Sequence, residues 1–336
     1  MRTRLTDDEA AVRDVFAGFF ANESPIEVVR AAVPLGHDAA LWRKLVEMGA
    51  PGMAVSLDAG GGGATLCDLA VVVEQWGRHL APVPLVEHSV TARLLEHHRP
   101  FDQAQFEAIV AGNDIATLAL RNPQGATAHL IPAGAVADII ITHDGTSGEA
   151  WRSAPPLTAA PNTADLPLAS RSPDETTPLD ISDQQWTRAL DEWRALMAVA
   201  HVGLAERAIE LGVDYAKERI QFGVPIGSFQ AVQHGFADAA TRLEGARLLA
   251  HRAVWALETN QADASRLAGM ALLFSAEMAR FAADRSLQYH GGYGFSAEYD
   301  IQLYHRHAAS WILQLGEPGR EYARLADAEF GPRKAA

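Results

Sequence analysis

A single cysteine, Cys67, is present in 336 residues. No intrachain disulfide can form, and no Cys/His spacing has the form of a zinc site. That scarcity argues against a metal enzyme and against a disulfide-stapled secreted scaffold, and Cys67 itself reads as a small buried apolar residue. No apolar run approaches the roughly 20 residues of a membrane span. The start, Met1-Arg2-Thr3-Arg4-Leu5-Thr6-Asp7-Asp8-Glu9, turns acidic without the apolar core of a signal peptide. A cytoplasmic protein is the expectation. Basic residues are also few: 28 Lys and Arg face 42 Asp and Glu, a formal net charge of -14. Such a chain repels a phosphate backbone, so nucleic acid is not the expected partner, and an anionic ligand needs a local basic patch.

With 48% hydrophobic residues, the chain can bury one large core or two smaller ones. Three units follow along it. Residues 1–113 read as a helical domain, because Ala10-Val12-Val15-Phe16, Phe19-Phe20, Leu41-Leu45-Val46 and Leu69-Val72-Val73 recur at helical spacing. Gly60-Gly61-Gly62-Gly63 interrupts them as a flexible connection, lacking the strand-glycine-helix context of a phosphate loop. Residues 114–180 read as a small β domain, from the β-branched runs Ile115–Leu120 and Val136–Thr142 with Asp144-Gly145 as a turn. The proline-bearing stretch 155–178 reads as edges and loops. Residues 181–336 read as long antiparallel helices, with Val232, Phe236, Leu243, Ala250, Val254 and Leu257 on one face. The fold expected is therefore mainly α with a small β domain.

Chemistry concentrates between Glu218 and Gly316. Arg219 stands near a helix end before a Gly/Pro turn, and the next helix opens at Ser228-Phe229-Gln230, with Ser228 as its expected cap. A helix N-terminus offers free N–H groups to an anion, and an arginine adds a bidentate contact to phosphate. A dinucleotide pyrophosphate suits that pair; a surface arginine beside a capped helix is the plainer alternative. His201 lies in an apolar helix and reads as a packing residue, while His234 and His290 are the other histidines of this half. No Ser-His-Asp or Cys-His set can be assembled from sequence order.

The segments Glu218-Arg219-Ile220-Gln221-Phe222-Gly223 and Phe229-Gln230, with Gln288-Tyr289-His290-Gly291-Gly292, resemble the acyl-CoA dehydrogenase family, motif spacing matching throughout. A weaker likeness runs through Ala50–Val55 and Leu69–Pro84. The resemblance implies an N-terminal helical domain, a middle β domain, here shortened, and a C-terminal bundle. It implies that Arg219, Gln221, Phe222, Gln230, Gln288, Gly291 and Gly292 reach across a dimer interface to hold the ADP part of a neighbouring protomer's FAD; His290, from its place in the Gly-Gly loop, is a further candidate contact on the adenine side. Glycine suits such a loop because its backbone can approach a ligand closely.

The departures lie in the other half of the implied site. The family's Thr/Glu-Pro and Gly-Ser-Asp segment, which faces the flavin ring and thioester, is not recognisable in Arg121-Asn122-Pro123-Gln124-Gly125-Ala126-Thr127. The family reaction takes a proton from Cα of an acyl-CoA while hydride leaves Cβ for the flavin, so a carboxylate must stand in a dry pocket. Leu315 occupies one family position for that base. Trp193, before the arginine that corresponds to Arg194, occupies the other. Glu317 and Glu192 are the nearby carboxylates, each displaced along the chain from those positions. Glu317 also replaces a flavin-contacting threonine of the family, and an added anion there weakens cofactor binding.

Retained trans-acting contacts beside lost cis-acting ones resemble the non-catalytic subunit of bacterial heterotetrameric acyl-CoA dehydrogenases of steroid side-chain degradation. Those assemble two catalytic and two non-catalytic chains with one FAD per pair. The resemblance implies a catalytic partner subunit, a bulky acyl-CoA substrate and an electron-transfer flavoprotein as electron acceptor. Two other readings stay open: a self-sufficient homo-oligomer with Glu317 or Glu192 as base, and a flavin-free structural or acyl-CoA-binding protein.

Overall fold

The computed structural model describes residues 4–96, 98 and 102–331. Met1 to Thr3, part of the N-terminal segment read above, lie outside the described residues. Helices start where a side chain can satisfy the free N–H groups of the first turn. Thr6 and Glu9 close a reciprocal capping box on α1 (Asp7–Glu23), which is followed by α2 (Ile26–Ala31), and Asp38 caps α3 (Ala39–Glu47). Thr65 and Asp68 form a second box on α4 (Leu66–Arg78), then come α5 (Leu85–Leu95) and α6 (Gln103–Ala111). Leu41, Leu45, Leu69, Val72 and Val73 are buried, whereas on α1 only Phe16 and Phe20 are, and Val15 points to solvent.

The glycine run is not a loose connection. The N–H groups of Gly61, Gly62 and Gly63 donate to the carbonyls of Ser56, Gly52 and Val55. A Cβ on Gly61 would stand 2.4 Å from the Val55 oxygen. Glycine is required there because backbone packs on backbone, not because the segment must move.

The middle unit holds β1 (Ala116–Leu118), β2 (Ala128–Ile131), β3 (Ile139–His143), β4 (Gly148–Arg152), β5 (Ala169–Arg171) and β6 (Glu175–Leu179). One sheet runs β1-β3-β4-β6, with β1 parallel to β3 and the other pairs antiparallel, and β2 pairs with β5 separately. The β3–β4 turn is fixed by Asp144, whose carboxylate accepts from the N–H groups of Thr146 and Ser147. The proline-bearing segment supplies the edge strand β6, the place where the missing N–H of Pro178 is tolerated.

Ser182 and Gln185 open α7 (Asp183–Glu218), whose 36 residues span about 54 Å at the helical rise. A short hairpin, β7 (Ile220–Gln221) and β8 (Val224–Pro225), leads to α8 (Gln230–Glu258), α9 (Ala264–His290), α10 (Ile301–Ser310) and α11 (Pro318–Phe330). Of the expected α8 stripe, Leu243, Ala250, Val254 and Leu257 are buried, while Val232 and Phe236 are half-buried near its free N-terminal end. The long α7 packs on α8, α9 and α4. Its seam with α4 depends on two glycines: a Cβ on Gly77 would meet the Ala200 oxygen at 2.2 Å, and one on Gly203 the Glu74 oxygen at 2.0 Å. Buried Arg194 ties α11 down, bonding Asp191 at 2.9 Å and Glu321 at 2.8 Å. Among the described residues no helix is long and apolar enough to cross a membrane.

Candidate functional site

Two chain reversals, one after α7 and one after α9, make a groove. Arg219 caps the end of α7, and positive φ at Phe222 (54°) and Gly223 (81°) turns the hairpin back, so that the Ile226 N–H reaches the Arg219 carbonyl at 2.8 Å. Helix α9 stops at Gly291, where φ 61° and ψ -139° favour glycine over any residue with a Cβ. The groove between them, about 430 Å³, is lined by Tyr215, Arg219, Gln221, Ile226, Tyr289, His290, Gly291, Gly292 and Tyr293.

Arg219, Gln221, Gly291 and Gly292 thus converge. Phe222 is 93% exposed at the hairpin tip. Gln230 and Gln288 are exposed on the first turn of α8 and the last turn of α9, outside the groove lining. Ser228 does not cap α8: Phe229 holds that position with no side-chain bond, and the Ser228 hydroxyl donates to the Pro225 carbonyl. The α8 N–H groups keep that much free bonding capacity.

The electrostatics suit an anion. Arg219 has no carboxylate partner among the described residues, and its guanidinium stands 5.5 Å from the Tyr293 ring centroid. Tyr215 stacks on His290 at 4.1 Å with planes 21° apart, and His290 is anchored by Nδ1 to the Ser286 carbonyl at 2.7 Å. Burial holds the His290 imidazole below its ordinary pKa, so the ring is a neutral aromatic wall. A cation, flat aromatic faces and glycine backbone together fit a phosphate with an adjoining planar ring. The tyrosines of this set, Tyr215 and Tyr293, carry no assigned role in the sequence reading. Their only signal there is the Tyr289-x-x-x-Tyr293 spacing in the glycine loop.

The positions where a base would stand look different. Leu315 ends a short 3-10 turn (Trp311–Leu315) and is half-buried against the core. Glu317 is exposed and heads α11 through its backbone. Glu192 is buried between Arg93 at 2.8 Å and Arg188 at 3.0 Å. Burial pushes its carboxyl upward, but the two guanidiniums overcome that and hold it below the usual carboxylate range. Trp193 is wholly buried, and its indole N–H meets no hydrogen-bond partner of good geometry among the described residues.

The exposed side chain of Arg121, after β1, lies beside the Leu315-Gly316 turn. A Cβ on Gly316 would lie 3.8 Å from Cδ of Arg121, ordinary van der Waals contact. Deeper in, a cavity of about 60 Å³ remains, lined by residues of all three units, and Trp76 stacks on Trp311 at 5.1 Å in its wall. Cofactor and ligand pockets occupy roughly 300–1,000 Å³.

His201 is a buried packing residue: Nδ1 bonds the Met197 carbonyl at 2.7 Å, the ring meets Trp311 edge-on, and burial lowers its pKa to about 4. His234 is exposed on α8. Cys67 is half-buried, its thiol pushed up to about 12 by burial and then by nearby carboxylates. Among the described residues no cluster of His, Cys, Asp or Glu could hold a metal ion.

Residues 6–99 match the N-terminal domain of acyl-CoA dehydrogenases, and residues 184–314 match the C-terminal domain. The chain belongs to the acyl-CoA dehydrogenase family. Its members are FAD-binding oxidoreductases acting on CH–CH bonds. An acyl-CoA dehydrogenase named IpdE2, from Mycolicibacterium smegmatis, is 34% identical over 97% of this chain and 99% of its own. Among solved acyl-CoA dehydrogenases, a variant of the Tcur3481-Tcur3483 steroid ACAD has a TM-score of 0.85 at 27% identity, covering 96% of this chain and 98% of that one. The ChsE4-ChsE5 complex from Mycobacterium tuberculosis shares the fold, with a TM-score of 0.83 at 24% identity over 99% of this chain and 100% of that one.

Proposed function

We propose that this chain is a non-catalytic subunit of an FAD-dependent acyl-CoA dehydrogenase, pairing with a catalytic subunit and completing that subunit's FAD site. The observation that carries the reading is a contrast within one molecule. The Arg219 groove is open and cationic, with no carboxylate partner for Arg219 among the described residues, whereas the two positions for a base in this chain hold Leu315 and the wholly buried Trp193.

Each residue then has a role toward the partner. Arg219 binds the pyrophosphate, Gly291 and Gly292 let the backbone come close to the adenylate, and Tyr215, His290 and Tyr293 wall the nucleotide. Gln221 lines the groove beside Arg219, and Phe222, Gln230 and Gln288, exposed outside its lining, contact the cofactor from there. The flavin, when bound, supplies the hydride acceptor for Cβ of the acyl-CoA. This chain supplies no base: Leu315 and Trp193 cannot accept a proton, Glu192 is held by two arginines, and Glu317 lies in solvent.

Support for a steroid-derived, bulky acyl-CoA comes from the steroid ACAD similar over nearly the whole chain. Support for a heteromeric assembly comes from the two-component names of both structural neighbours. An electron-transfer flavoprotein is the proposed electron acceptor, and the cytoplasm the proposed location.

The test is expression of this chain alone and together with a catalytic acyl-CoA dehydrogenase subunit, followed by flavin per chain, stoichiometry and turnover. Alone it should carry little flavin and no activity; in the complex, one FAD should serve each pair of chains. A yellow, active homodimer would overturn the reading.

A further inference from the structure

The cavity beside the Trp76–Trp311 stack contains an acid and a base that no role assigned so far uses. Glu87, on α5, is 7% exposed and makes no ion pair among the described residues, and it lines the cavity. Burial raises its carboxyl above the usual range, against the smaller opposing pull of its own backbone N–H and of the Trp193 indole. The group is therefore biased toward the neutral acid, which has one proton to donate.

His307, on α10, lines the same cavity. Its Nδ1 bonds the Leu303 carbonyl at 2.8 Å, which fixes the hydrogen on that nitrogen. Burial lowers the ring's pKa to about 4, so Nε2 is a lone-pair acceptor at neutral pH, and it has no partner among the described residues. Each of the wall's other polar side chains has at least one partner. The Trp76 indole donates to the Val83 carbonyl at 3.0 Å, the Gln314 amide donates to the Trp311 carbonyl at 3.4 Å, and Asp165 is paired with Arg306.

One free donor and one free acceptor, set in an apolar cavity, match a group that both accepts and donates. A hydroxyl does this with a single oxygen. The volume, about 60 Å³, holds roughly two waters at about 30 Å³ each or one small alcohol. We propose that this cavity is a hydroxyl-binding site, in which a ligand O–H donates to His307 Nε2 and accepts from the Glu87 carboxyl. Its occupant is water or the hydroxyl of a small neutral alcohol. The site serves this chain alone and does not depend on the role proposed for the Arg219 groove.

The test is a high-resolution crystal structure of the full protein, grown with and without methanol, for wild type, Glu87→Gln and Glu87→Leu. An oxygen within hydrogen-bond reach of both Glu87 and His307 Nε2 is expected in wild type and in Glu87→Gln, whose amide can still donate. It should be lost in Glu87→Leu. Density for a methyl group in methanol-grown crystals identifies an alcohol site, and an unchanged oxygen identifies a water site. Glu87 and His307 bonded only to protein, or an oxygen that survives Glu87→Leu, overturns the proposal. The nitrogen chemical shifts of His307 give a second reading in solution. They should report a neutral Nδ1–H ring at pH 7 whose Nε2 shift moves in Glu87→Leu, and no movement counts against the site.

Discussion

Arg219 stands over the ring of Tyr293, 5.5 Å from its centroid, with no carboxylate to neutralise it among the described residues. The aromatic face orients the guanidinium without consuming its hydrogen-bond donors. Arg219→Ala should therefore leave the stability of the chain unchanged and weaken FAD binding in the assembled complex. A charge-assisted contact of about 1.5–3 kcal/mol corresponds to a roughly ten- to hundredfold loss. Flavin titration of the apo complex measures it; equal affinity in wild type and variant would remove Arg219 from the site.

Gly291 and Gly292 should respond differently to the same change. At Gly291, φ 61° and ψ -139° make Gly291→Ala strained, costing about 1–3 kcal/mol of stability. Gly292 has no positive φ, and a Cβ there would meet nothing within 4 Å. Gly292→Ala should then keep the melting temperature and still reduce flavin retention in the complex, because only something outside this chain needs the space. Unchanged retention would mean that the loop approaches no ligand.

Much of this was legible because it is periodic or punctuated. The helical stripes through Leu69-Val72-Val73, the Asp144-Gly145 turn and the Glu218–Gln230 motif each carry a local signal, and local signals set local structure. Contacts between segments far apart in the chain carry none. The mutual approach of Gly77 to Ala200 and Gly203 to Glu74 looks in sequence like two helix-weakening glycines. The four-glycine run suggested mobility because the carbonyls it folds onto lie outside it. Glu87 follows the apolar run Val83–Val86 as a lone carboxylate, and only the fold brings His307 to the same cavity.

Glu192 separates the catalytic from the structural reading. Its carboxylate joins Arg93 of α5 to Arg188 of α7, so Glu192→Gln leaves two guanidiniums partly unpaired. A loss of about 1–3 kcal/mol of stability is expected, with no change in the turnover of the complex. Chemical denaturation and steady-state kinetics on one preparation decide it. Abolished turnover with intact stability would restore Glu192 as a base and return the chain to a self-sufficient enzyme.

Acid stability follows from three buried rings. His88, His201 and His307 have their pKa values lowered to about 4 by burial, against an ordinary 6.5. The unfolded chain therefore takes up protons at these sites below about pH 6.5, while the folded chain resists until about pH 4. The histidines' share of the stability should fall as pH drops through that window and level off below it, by on the order of 3 kcal/mol per ring at the low end. The paired carboxylates Glu74, Glu192 and Glu321, all held below their ordinary range, add their loss only under about pH 4.5. Between pH 6.5 and 4.5 the downward slope therefore belongs to the histidines, offset in part by Glu87, whose raised carboxyl keeps a proton in the fold that the unfolded chain gives up. Replacing His201 with phenylalanine, in a site where Nε2 has no partner, should flatten that slope by one proton's worth. Urea melts at half-unit pH intervals measure it, and an unchanged slope would show that His201 is protonated inside the fold.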